Sequence, residues 1–153
     1  MIRAPSKALV VDANIVLSAA LGGRTRPVII FVRERRQLLT SVEAMSEALN
    51  VAMKLPDVPF AAENVTSLLE LIDVARGNLY LGRAELAQAT LRNAPASRNG
   101  SVSDAHILAL AWTYDADIWS HDRDFAGTGW PSWSSANLAS ALADEAGAEA
   151  QPV

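Results

Sequence analysis

The stretch Lys7-Ala8-Leu9-Val10-Val11-Asp12-Ala13-Asn14 is an apolar run closed by an acid. Its continuous hydrophobicity and β-branched end mark a short strand buried on both faces, as strands of parallel sheets are. A helix is predicted over residues 13–21, ended by Gly22-Gly23. A second is predicted from near Pro27, a residue suited to a first helical turn, with Val28, Ile29, Phe31 and Val32 as its apolar stripe.

The same alternation recurs downstream. Residues 37–41 read as a second strand and 42–54 as a helix that Pro56 ends. Val65, Leu68, Leu69 and Ile72 stand at helical spacing, so a helix is predicted over 61–76 with Gly77-Asn78 as its stop. Residues 79–81 read as a third short strand, 83–92 as a helix and 93–100 as a polar loop. A strong helix follows over 102–114, then a strand over 117–120 that runs into His121-Asp122-Arg123-Asp124. Gly127, Gly129 and Pro131 indicate a loop, and Ser134 or Ser135 can cap a last helix over 136–144. These elements predict an α/β fold with three layers, α/β/α, around a mostly parallel central sheet. One domain is expected over residues 1–144, with a flexible, frayed tail over 145–153.

Composition narrows the chemistry. Half of the 153 residues are hydrophobic and a fifth are charged, which places the chain among folded proteins and away from disorder. There is no cysteine, so a metal would be held by oxygen or by His106 and His121, and hard cations become the default. Met1 to Lys7 has no apolar segment of signal-peptide length behind it, and no stretch approaches the roughly 20 apolar residues of a membrane span. The expectation is a cytoplasmic protein with no membrane association. A net charge of −4 argues mildly against capture of nucleic acid by bulk attraction. Carboxylates gathered around cations would lower that number without repelling a polyanion. Arg24, Arg26, Arg33, Arg35 and Arg36 form a local basic cluster.

The acids have informative addresses. Ligands of open parallel sheets bind at the carboxyl ends of the strands, and Asp12 and Asp122 each follow a predicted strand directly. Either one alone could be a turn or capping aspartate. Asp104 lies three residues after Ser101, the spacing of a capping box, yet it shares the helical stripe of Ile107, Leu108 and Ala111 that must face the sheet. A carboxylate turned inward needs a partner, and a metal is one. Glu43 and Glu47 share a helix face, and Glu47, at the margin of the apolar side, is the better candidate to reach the sheet end. Asp124 can share a cation with Asp122 or face solvent. His121 and His106 read as surface residues. Trp112, Trp119, Trp130 and Trp133 read as core and loop anchors rather than a base-stacking platform.

Four segments together resemble the PIN-domain family, and within it the VapC-like toxins of bacterial toxin–antitoxin pairs. They are Val10-Val11-Asp12-Ala13-Asn14, Glu47-Ala48-Leu49, Ser103-Asp104-Ala105 and Trp119-Ser120-His121-Asp122-Arg123-Asp124-Phe125. The likeness runs over residues 7–143, with no matching motif from 55 to 99. It implies a PIN-like fold and a divalent-metal-dependent endoribonuclease, a cytoplasmic toxin that hydrolyses RNA phosphodiester bonds. By that resemblance Asp12, Glu47, Asp104 and Asp122 are the catalytic acids. Asp12, Asp104, Asp122 and Asp124 would hold Mg²⁺ or Mn²⁺, and Asn14, Ser120 and Arg123 would position substrate or water. Ser120 stands where the family often has Thr, keeping the hydroxyl. The resemblance also implies an antitoxin partner and a homodimer. Rival readings are a DNA-directed nuclease, a catalytically silent PIN-like protein-binding module, and a phosphatase with an aspartyl nucleophile. Asn14 disfavours the last, because an acid would be expected there.

Overall fold

The computed structural model describes residues 3–94, 104–121, 125 and 127–150. Strand β1 (Ala8–Val11) is followed by helices α1 (Ala13–Ala20) and α2 (Thr25–Arg33). Strand β2 (Gln37–Ser41) leads into α3 (Val42–Met53), α4 (Ala61–Ser67) and β3 (Asp73–Ala75). After them come α5 (Ala84–Arg92), α6 (Ala105–Tyr114), β4 (Asp117–Trp119), β5 (Ser132–Trp133) and α7 (Ser135–Ala150). The five strands are ordered β3-β2-β1-β4-β5, and every pairing among the described residues is parallel.

Alternation along the strands builds two cores, one on each side of the sheet. Leu9, Val11, Leu38 and Trp119 face a layer that includes Ile15, Val16, Ile29, Val65 and Leu138. Val10, Leu39 and Ile118 face the opposite layer with Tyr80, Leu91, Ile107 and Leu108. Both faces of the central strands are therefore covered, which explains why β1 reads as an unbroken apolar run. The expected three-layer α/β/α arrangement is the one observed.

Three expectations give way. The helix over 61–76 ends at Ser67, passes through a 3-10 turn at Leu68–Glu70 and yields to β3. Leu68 and Ile72 are buried but Leu69 is half exposed, so the apolar stripe breaks there, and Val74 and Ala75 pair with β2. Residues 79–81 are no strand: 3-10 turns at Gly77–Leu79 and Leu81–Arg83 flank the fully buried Tyr80. Local bonds from Tyr80 N–H to Gly77 O at 3.1 Å and from Arg83 N–H to Tyr80 O at 3.0 Å serve the backbone that a sheet would have served. The last helix also continues to Ala150, past the end expected at residue 144, and the Glu145 carboxylate takes a hydrogen bond from Arg36 at 2.7 Å. Among the described residues no single helix is long and apolar enough to cross a membrane.

Candidate active site

The chain runs from β1 outward through β2 to β3, then crosses to β4 on the other side of β1. Open parallel sheets form their ligand crevice where the winding reverses, here at the carboxyl ends of β1 and β4. Val11 pairs with Trp119, so the next residue of each strand, Asp12 and Ser120, occupies that crevice. Both are buried, at 3% and 2% exposure, and Ser120 Oγ donates to Asp12 Oδ2 at 2.9 Å. Asp12 holds the N-cap position of α1, but its side chain makes no capping hydrogen bond. The turn-or-cap reading of this acid therefore loses its main support, and its carboxylate belongs to the sheet edge. Asn14 follows, exposed in the first turn of α1.

On the other flank, Val10 pairs with Leu39, which places Ser41 beside Asp12 in the same register. Thr40 Oγ1 donates to Val11 O at 2.7 Å and ties the two strand ends together. Ser41 is fully buried, caps α3 by accepting the Ala44 N–H at 3.0 Å, and lies 2.7 Å from His106 Nδ1. That contact brings the first turn of α6 to the edge. Asp104, partly buried, is the N-cap residue of α6 without a side-chain capping bond. The Ser101 half of the expected capping box lies outside the described residues, as do Asp122, Arg123 and Asp124. His106, expected on the surface, is a correction: it is partly buried and engaged with Ser41, because residues facing the sheet edge need polar partners there.

The two acids of α3 also separate in a way their spacing does not reveal. Glu43 is partly buried and accepts a hydrogen bond from the Tyr80 hydroxyl, which in turn accepts the Val42 N–H at 3.3 Å. Glu47, one turn on, is exposed rather than turned inward. Burial, with the Glu43 carboxylate beside it, pushes the Tyr80 hydroxyl up to about 12, so it stays a donor at neutral pH. Among the described residues no three acids or histidines stand together as a metal cluster. The donors described around this edge are nonetheless oxygen and imidazole: Asp12 with the Ser120 hydroxyl, Ser41 with His106, and Asp104 at the N-cap of α6, whose first turn carries His106. That chemistry fits a hard divalent cation.

The opposite end of the sheet is built differently. Lys7, Arg33, Arg35 and Arg36 line a shallow concavity of about 400 Å³ at the amino-terminal edge, so three of the five clustered arginines lie away from Asp12. Arg35 stacks on Phe31, 3.8 Å from the ring centre, and Arg36 is paired with Glu145. Asp117, an acid the sequence reading passed over, opens β4 at this end. It is 1% exposed and accepts four hydrogen bonds: two from Arg3 at 2.9 and 3.0 Å, one from Ser6 N–H at 3.1 Å and one from Trp133 Nε1 at 2.8 Å. Its carboxylate is satisfied by the fold itself. The tryptophans act as the anchors expected, Trp119 Nε1 donating to Ser135 at 3.0 Å and Trp130 Nε1 to Ala116 O at 2.7 Å.

The sequence profile of the PIN domain matches residues 10–143. No curated protein matches the sequence. Among solved structures, the chain is similar to a chain of VapBC2 from Rickettsia felis bound to a DNA fragment from their promoter. The TM-score is 0.64 at 11% identity, covering 83% of this chain and 98% of that one. It is likewise similar to a chain of VapBC-1 from nontypeable Haemophilus influenzae, with a TM-score of 0.59 at 18% identity, covering 84% of this chain and 98% of that one. At such identities the likeness is one of fold.

Proposed function

Because the chain belongs to the PIN-domain family, we propose that it is a divalent-metal-dependent endoribonuclease, the toxin of a toxin–antitoxin pair. The observation that carries this reading is the buried Asp12 carboxylate at the switch point of the sheet, held by Ser120 and not by a helix cap. Asp12 and Asp104, with Asp122 and Asp124 from the segment after β4, hold Mg²⁺ or Mn²⁺. Bound there, such a cation would supply charge neutralisation at the phosphate and activation of a water near neutral pH. Exposed on α3, Glu47 orients that water. Ser120 fixes the Asp12 carboxylate, while Asn14 and Arg123 position the phosphodiester. An antitoxin covers the site in the resting complex, and the toxin pairs with a second copy of itself. VapBC complexes among the structural neighbours support the antitoxin partner.

The test is cleavage of a mixed RNA pool by the full chain with Mg²⁺ or Mn²⁺, with and without chelator, comparing wild type with Asp12→Asn and Asp104→Asn. Metal-dependent cleavage by the wild type, reduced at least about a hundredfold in both variants, is the expected result. Cleavage of DNA alone would replace the ribonuclease by a DNA-directed nuclease. Intact RNA and DNA with a folded wild type would leave a protein-binding module.

A further inference from the structure

Four side chains from four separate elements form two hydrogen-bonded pairs beside the carboxyl edge, joined through the backbone of Ser41 and Val42. Glu43, in the first turn of α3, accepts from the hydroxyl of Tyr80, which is set between two 3-10 turns. That hydroxyl also accepts the N–H of Val42, the residue directly after Ser41 at the end of β2, at 3.3 Å. Ser41 lies 2.7 Å from Nδ1 of His106 in α6. Only Ala105 separates His106 from Asp104. The joined pairs therefore end on the helical turn that carries one of the proposed ligands.

We infer that Glu43, Tyr80, Ser41 and His106 are positioning residues that fix the first turn of α6 against the ends of β2 and α3, and so set where Asp104 presents its carboxylate. The inference rests on the metal reading above. A buried network whose members are all bonded holds a single arrangement, and groups behind the ligands of a metal site tune its affinity by orienting those ligands. The arrangement also separates the roles of the two acids of α3. Glu43 is committed to the Tyr80 hydroxyl and acts through it, which leaves Glu47 as the acid open to water and substrate.

Mn²⁺ affinity of the full chain, read from the electron paramagnetic resonance of the free ion, tests this together with the amide resonances of Asp104 and Ala105 in metal-free protein. Tyr80→Phe keeps the ring and removes the hydroxyl. It is expected to weaken Mn²⁺ binding about tenfold and to shift both resonances. Glu43→Ala is expected to match that loss, whereas Glu43→Gln, whose amide oxygen still accepts from Tyr80, should stay within about threefold of wild type. Where Tyr80→Phe fails to fold, Ser41→Ala carries the same two measurements. Glu43→Gln as weak as Glu43→Ala would make the Glu43 charge itself a ligand and overturn the inference. So would folded variants with wild-type affinity and unmoved resonances, and that result would leave the metal reading standing. A wild type that binds no Mn²⁺ would remove both.

Discussion

Ser120 Oγ donates to Asp12 Oδ2 at 2.9 Å, joining the carboxyl ends of two neighbouring parallel strands through a side-chain bond at the switch point of the sheet. Backbone pairing brings the two residues side by side, and the hydroxyl then selects one orientation of the carboxylate. Ser120→Ala should take that donor from a buried acid, costing about 1–2 kcal/mol of stability. It should also weaken Mn²⁺ binding about tenfold, because the ligand loses its orienting bond. Ser120→Thr, which keeps the hydroxyl, should restore most of the affinity. Urea unfolding and Mn²⁺ titration read the two effects separately. A Ser120→Ala protein as stable and as tight as wild type would show that Asp12 does not depend on this bond.

Asp117 offers the contrasting case of a buried acid whose work is structural. Its substitution by Ala leaves the Trp133 indole N–H and the Ser6 amide without their acceptor and frees Arg3. A loss of about 3 kcal/mol in urea unfolding is expected, with Mn²⁺ affinity unchanged because the residue lies at the far edge of the sheet. A drop in Mn²⁺ affinity at unchanged stability would contradict this division of the acids.

The contrast between Asp12 and Asp117 also shows what was legible in the sequence. Asp12 announces itself because it closes a strand apolar on both faces, so the fold class and one end of the site follow from the same eight residues. Asp117 sits at the start of a strand, where an acid carries no such signal, and its partners Arg3 and Trp133 lie far away in sequence. The β3 strand was hidden for a related reason: at three residues on the sheet edge, with only Ala75 buried, it has neither an apolar run nor an alternation to read. Tyr80 and His106 were missed as site neighbours because long-range pairing with the adjacent residues Val42 and Ser41, and no local pattern, brings them together. The division of Glu43 from Glu47 has the same origin. Their common helix face was readable, but which one meets Tyr80 depends on a turn 37 residues later.

Tyr80 predicts a stability change at alkaline pH. Its folded pKa of about 12 lies above the ordinary value of 10, so folding favours the protonated hydroxyl. The sign follows: this contribution is fully present below pH 10 and is lost as pH rises from 10 toward 12. It is worth on the order of 2 kcal/mol. Urea midpoints measured at pH 9 and pH 11.5 should fall in the wild type, and the fall should be smaller in Tyr80→Phe, which has no hydroxyl to ionise. Equal pH dependence in the two proteins would assign the alkaline loss to other groups.

At the acid end the sensitive contact is the pair of Arg36 and Glu145, which fastens the distal part of α7 to the segment between α2 and β2. The hydrogen bond from Arg36 holds the Glu145 carboxyl below its ordinary value of 4.5. A depressed carboxylate contributes above the unfolded value and ceases to contribute as pH falls through the folded one. Because Glu145 is about one-third exposed, solvent screens the pair and the effect should be local, a loosening of the end of α7 and not global unfolding. Amide exchange over residues 141–150, corrected for the intrinsic pH dependence, should therefore quicken roughly threefold between pH 6 and pH 3. Exchange in β1 should hold constant. Glu145→Gln at pH 6 should reproduce the acid behaviour, because it removes the charge while keeping the shape. If exchange at the helix end is the same at both pH values and in the variant, the pair does not anchor α7, and its packing against α2 alone holds the helix beyond residue 144.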